Sequence, residues 1–303
     1  SIRRQRQMCI RRQIRETVEK RRTCVWYEEV KDFYEGILQV ANMQNFFKEH
    51  TTGFHSALAV KVWKEYTTEY YKMDTYYRLF HRSYGRSLKT YHAKLHDLFS
   101  HVMEKAEGLY KNWFLGQLGE NWSKVCAEEM EQYGKILEVP QQTDFYKSKV
   151  KNADNRVFVI ISDALRYEVA ADLAEQLRRE TKSQVDLSSM QSIFPTITKF
   201  GMAALLPHEK LSVKFQGNIV DVFADGKSTE SHDRDRILKS DREDSVALKY
   251  TDLVTTKRQE RSAWVKSKNV VYIYHDTIDE ASHTSDTLVS VSYTHLTLPT
   301  NRE

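Results

Sequence analysis

The chain reads as α/β, with an all-helical N-terminal region ahead of a domain built on a mainly parallel sheet. Three observations carry this. No proline occurs before Pro140, so nothing breaks the helical apolar spacing of the first half. Val157-Phe-Val-Ile-Ile161 is a run of apolar, mostly β-branched residues that reads as a strand buried on both faces. Beyond it, short apolar runs alternate with helical patterns, as strands and crossover helices do in a parallel sheet.

The first helix is basic: Arg3, Arg4, Arg6, Arg11, Arg12, Arg15, Lys20, Arg21 and Arg22 are opposed only by Glu16 and Glu19. Such a run can contact nucleic-acid phosphates. A solvated helix face is the preferred reading, because the whole chain carries a net charge of only +4. Helical spacing continues over 26–47, 55–80, 87–110 and 112–137. In the third of these, Leu88, Tyr91, Leu95, Leu98, Phe99, Val102, Ala106 and Tyr110 form one stripe. Trp63, Tyr66, Tyr70, Met73 and Tyr77 also repeat at helical steps. They are expected to pack a core rather than stack bases.

Pro140 closes the helical region, and 141–155 is polar and reads as a linker. The expected domains are therefore a helical region over 1–140 and an α/β domain over 156–289. Within the latter, helices are expected at Arg166–Arg179, with Val169, Ala170, Leu173, Ala174 and Leu177 inward, and at Lys199–Leu205. Strands are expected at Val185–Leu187, Ile219–Phe223 and Val270–Tyr274, with 225–268 a polar insertion holding one or two helices. Residues 290–303 continue no pattern and resemble translated adaptor sequence, so a non-native tail is expected there.

Composition excludes several classes. Charged residues make up 29% and hydrophobic residues 40%, a globular balance, and no stretch approaches the roughly 18 apolar residues of a membrane span. Cys9, Cys24 and Cys126 are odd in number and far apart, which supports neither a thiolate zinc site nor a disulfide framework and fits a cytoplasmic protein. The arginine-rich start is no signal peptide. The absence of an initiator methionine at Ser1 suggests a fragment.

Three segments carry candidate chemistry. Asp163 stands just past the first strand, where open α/β sheets bind ligands, although an aspartate there can equally cap the next helix. Thr196 and Thr198 offer hydroxyls in a Pro-Thr-x-Thr turn. A threonine is a weak nucleophile until a metal lowers its pKa, and turn chemistry alone would explain the pair. Asp279 and His283 lie four residues apart after the strand ending at Tyr274, a spacing that can hold one cation on a helix. His275 and Asp276 compete with them. Gly226-Lys227-Ser228 mimics the end of a phosphate-binding loop, but Asp221 stands where that pattern needs glycine.

Ile-Ser-Asp-Ala-Leu-Arg-Tyr-Glu at 161–168, Phe-Pro-Thr-Ile-Thr-Lys-Phe-Gly-Met-Ala-Ala-Leu-Leu-Pro-His at 194–208 and Tyr-Ile-Tyr-His-Asp-Thr-Ile-Asp-Glu-Ala-Ser-His at 272–283 together resemble the PglZ family. This is a branch of the alkaline phosphatase superfamily, and the resemblance runs over residues 30–289. The likeness is strongest to the type A branch of type 1 BREX phage-defence systems. It implies a truncated alkaline-phosphatase-like fold and in-line phosphoryl transfer using two zinc ions in the complete protein. It matches Asp163, Asp279 and His283 to zinc ligands and Thr198 to the nucleophile, with Thr196 as fallback and Ser282 where the family has glycine. It also implies other BREX proteins as partners, including the DNA methyltransferase component. The superfamily's later Asp-His pair and last histidine have no counterpart here, so half of a two-metal site and no activity are expected of the isolated chain. An interaction scaffold and a nucleic-acid-binding module are the alternatives.

Overall fold

The computed structural model describes residues 2–90, 92–217 and 219–283. Tyr91 of the apolar stripe and the expected tail at 290–303 lie outside them. The chain divides into two compact units, whose described parts are 2–132 with 166–185, and 133–165 with 186–283.

The first unit contains helices α1 (Ile2–Arg21), α2 (Tyr27–Glu49), α3 (Ala59–Glu65), α4 (Tyr71–Ser87), α5 (Ala93–Glu107), α6 (Gly116–Tyr133) and, after a long excursion of the chain, α7 (Tyr167–Glu180). Phe33, Met43 and Phe46 of α2 meet Met73, Tyr77 and Phe80 of α4 and Phe99 of α5 in one buried cluster. Each such side chain contributes about 1.5–3 kcal/mol by leaving water. The expected aromatic core is therefore present, with Tyr77 and Tyr110 stacked at 3.7 Å. Two π-helical segments, Tyr66–Tyr70 and Gly108–Leu115, interrupt the α-helical runs. At the first, Thr67 and Thr68 donate to the carbonyls of Trp63 and Lys64, which bends the ladder. In the stripe, Leu95, Phe99, Val102, Ala106 and Tyr110 pack inward, whereas Leu88 and Leu98 are exposed. Leu88 precedes the start of α5 and so misses its helical phase.

In the second unit, β1 (Val157–Ser162), β5 (Ser245–Lys249) and β6 (Val270–His275) form a parallel sheet in the order β1-β6-β5. Strands β2 (Leu211–Gln216), β3 (Ile219–Ala224) and β4 (Lys227–Ser228) form a separate antiparallel sheet. Helices α8 (Thr198–Ala204), α9 (Arg234–Asp241), α10 (Tyr250–Thr255), α11 (Arg258–Val265) and α12 (Thr277–His283) complete the unit. Val159, Val270 and Tyr272 pack with Leu206, Ala224, Ile237 and Leu238.

Several expectations are corrected. Phe158 and Ile160 are 50% and 67% exposed, because β1 is an edge strand that buries one face through Val159. Val185–Leu187 forms no strand; only Gln191 bridges, to Gln141. The strand at Ile219 is antiparallel, and the 225–268 region supplies β4 and a full strand of the parallel sheet, β5. Residues 141–155 hold helical turns that bury Tyr146 and Val150, with the Tyr146 hydroxyl donating to Asp241 at 2.6 Å. In α7, Ala171, Ala174 and Glu168 are buried, while Leu173 and Leu177 are exposed, since the helix is drawn to α4 by Arg78, whose Nε donates to Glu168 at 2.8 Å.

Candidate active site

The parallel register pairs Ser162 with His275, so the chain leaves β1 and β6 side by side at their carboxyl ends. The Asp163 amide donates to the His275 carbonyl at 2.9 Å, extending the pairing by one residue. The next residue, Ala164, turns sharply with φ of 60°, and its N–H donates to Asp163 Oδ1 at 3.0 Å. A left-handed alanine costs roughly 1–2 kcal/mol, and strain of this kind concentrates at functional turns. His275 is held elsewhere: its Nδ1 lies 2.9 Å from the Ser162 hydroxyl, and its ring meets Tyr250 edge-on at 4.6 Å.

Thr198 is the first residue of α8, following a loop in which the Phe194–Pro195 peptide is cis. Its side chain is exposed, and it lies near enough to Asp163 to favour the ionised carboxylate. Thr196, two residues earlier, is exposed as well. Lys199, beside the nucleophile candidate, is bound to Asp221 at 3.2 Å and Glu230 at 2.9 Å.

The Asp163 carboxyl titrates above its ordinary range. Burial is the main cause and the charge of Asp279 the second, against the pull of the Ala164 amide, the Thr198 hydroxyl and Arg234. The three remote segments thus meet: Asp163, Thr198 and Asp279 share one rim. Asp276, the competing acid, is exposed. His283 sits one turn along α12 from Asp279, with Nε2 at 3.6 Å from Oδ2, and is 76% exposed. It stands at the solvent side of the acid pair.

Among the described residues, no group of three or more His, Cys, Asp or Glu is placed to hold a metal ion. Two mutually repelling carboxylates, one hydroxyl and a nearby imidazole nevertheless suit a divalent cation as a partial ligand set, since a catalytic zinc ordinarily takes three or more protein ligands. Arg234 escapes a sequence reading altogether. It lies in the charge-dense stretch Asp233-Arg-Asp-Arg236, inside the expected insertion, and no local pattern separates it from its neighbours.

The basic N-terminal helix presents less unopposed charge than its composition suggests. Arg12 pairs with Glu16, Arg22 with Glu19 and Glu35, and Arg21 bonds to the Tyr34 hydroxyl. The side chains of Arg3, Arg4, Arg6 and Arg11 lie outside the described residues.

Comparison with known proteins bears on the same segments. Residues 145–292 match the family described as the BREX system PglZ alkaline phosphatase-like domain. The chain is 38% identical over 272 residues to the alkaline phosphatase-like protein BrxZ of Escherichia coli O9:H4 (strain HS), covering 87% of this chain and 30% of that protein. It is 33% identical over 267 residues to the alkaline phosphatase-like protein PglZ of Bacillus cereus (strain H3081.97), with the same shares covered. The chain therefore spans about a third of the length of these curated relatives.

Proposed function

We propose, for a chain that belongs to the PglZ family of BREX systems, that it carries the nucleophile half of a site for in-line phosphoryl transfer from a phosphate ester. The observation that carries this is the convergence of Thr198 and Asp279 on the half-buried Asp163 carboxyl. Asp163 orients the Thr198 oxygen and accepts its proton as that oxygen attacks phosphorus, with the ester oxygen leaving on the opposite side. A carboxylate whose pKa is raised by burial and a like charge is a better base than a solvated one.

Asp163, Asp279 and His283 are the residues that would hold a divalent cation, for which zinc is the family expectation. When bound, the cation would neutralise charge on the phosphoryl oxygens and favour ionisation of the attacking hydroxyl. With only these ligands from the present residues, the isolated chain is expected to bind zinc weakly and to be inactive. Partners would be other BREX components, the DNA methyltransferase component among them. No described helix is long and apolar enough to cross a membrane.

Hydrolysis of a generic aryl phosphodiester by the full-length protein tests the nucleophile. Thr198→Ala should lower the rate by on the order of 10³-fold, as loss of a nucleophile does elsewhere, with the fold retained. Equal rates would end the assignment. A non-catalytic scaffold is the second reading, favoured by the lack of a complete metal cage among the described residues. It requires that wild type and Thr198→Ala both be inert at full length.

A further inference from the structure

We propose that Arg234 is the phosphate-binding residue of this site, donating from its guanidinium to a non-bridging oxygen of the ester; this rests on the phosphoryl-transfer reading above. Arg234 opens α9 and is half-buried. Its Nε donates to the Thr229 carbonyl at 3.1 Å, and its guanidinium carbon lies 4.7 Å from the centre of the Tyr274 ring. Tyr274 pairs in register with Ile161 on one side and Lys249 on the other, one residue before the point where β1 gives way to Asp163. The two anchors therefore hold a rigid cation at the carboxyl end of the sheet.

What distinguishes Arg234 is the partner it lacks. Neighbouring cations are matched: Lys199 with Asp221 and Glu230, Arg236 with Asp233, and Arg242 with Asp244. Among the described residues, Arg234 has no carboxylate within ion-pair distance. A partly desolvated guanidinium is costly to keep without an anion, and this one lies at the sheet end where the proposed site must accept an anion. Asp163 and Asp279 would repel a phosphate ester, so an opposing charge is needed there. The guanidinium fork matches phosphate oxygens in a way that an ammonium does not.

The test is calorimetric titration of the full-length protein with inorganic phosphate at fixed zinc concentration, comparing wild type, Arg234→Gln and Arg234→Lys. Arg234→Gln should weaken phosphate about tenfold or more, the loss of one charge-assisted hydrogen bond. Arg234→Lys should fall between the two, with zinc uptake and melting temperature unchanged in both. A merely structural arginine would lower the melting temperature without this graded order. If Arg234→Gln does not fold, Arg234→Lys decides the matter: a weakening of severalfold supports the assignment. Wild-type affinity in the folded variants would overturn it, as would failure of the wild type to bind phosphate. The Thr198→Ala assay fails or succeeds separately. Activity lost in Thr198→Ala with phosphate affinity intact in Arg234→Gln would spare the reaction and remove Arg234 from it.

Discussion

Asp74 in the helical unit and Asp163 in the sheet unit are both carboxylates taken at least partly out of water, and their surroundings treat them in opposite ways. Asp74 is 2% exposed and ringed by donors: the Tyr66 hydroxyl at 2.8 Å, the Tyr110 hydroxyl at 2.5 Å and Arg166 at 3.5 Å. Burial still raises its pKa, but every neighbour opposes that rise. Asp163 receives one amide, and a second acid adds to its burial instead of relieving it. A satisfied buried carboxylate ties helices together; one left under electrostatic pressure is arranged to react or to bind. The strained Ala164 beside Asp163 belongs to the same pattern.

Paired substitutions should expose the contrast most strongly. Asp163→Asn should abolish hydrolysis by the full-length protein, by on the order of 10²-fold or more, as loss of a general base does. In the metal-free protein it should leave stability unchanged or raise it by up to about 1 kcal/mol, since a repelling charge is removed. Asp74→Asn should do the reverse, costing about 2–4 kcal/mol in denaturant unfolding with catalytic residues untouched, because Arg166 loses its buried counter-charge. Equal destabilisation by the two would erase the distinction.

Zinc sharpens it next. Calorimetric titration of the isolated chain should show no tight stoichiometric uptake of two ions, and whatever binding occurs should vanish in Asp163→Asn while surviving Asp74→Asn. Two tight sites would mean that the ligand set is already complete.

The helical unit has its own acid-sensitive point in Glu107. Burial pushes its carboxyl up, but hydrogen bonds from His81, Lys111 and Tyr77 outweigh it and bring the pKa down to about 2. A depressed folded pKa stabilises fully above the ordinary value of 4.5 and is lost as pH falls from there toward 2. Urea midpoints measured from pH 6 to pH 2.5 should therefore fall less steeply in Glu107→Gln than in wild type.

The smallest effect concerns the turn. Ala164→Gly should relieve the left-handed backbone and raise stability by about 0.5 kcal/mol, the relief being partly offset by greater freedom of the unfolded chain. A loss of stability in thermal melts would show that the turn is not strained.

Local pattern alone determined a good deal of this protein. The stripe ending in Phe99, Ala106 and Tyr110, the aromatic ladder of Tyr70, Met73 and Tyr77, and the apolar runs of β1 and β6 are written in neighbouring residues. Helix and strand periods depend on positions a few residues apart. For the same reason the acids at 163 and 279 could be assigned to strand ends, and the parallel pairing of β1 with β6 then brought them to one rim. Tertiary structure decided what no period encodes. Ser245–Lys249 joins the sheet because it finds an open edge on β6, not because its own sequence is strongly strand-like. Leu173 and Leu177 stay exposed because long-range ion pairs from Arg78 to Glu168 and Asp172 turn the other face of α7 inward. Arg234 became distinct from Arg236 only when Tyr274, distant in the chain, and the nearby Thr229 carbonyl captured it, since a long-range contact leaves no mark on the residues between its ends.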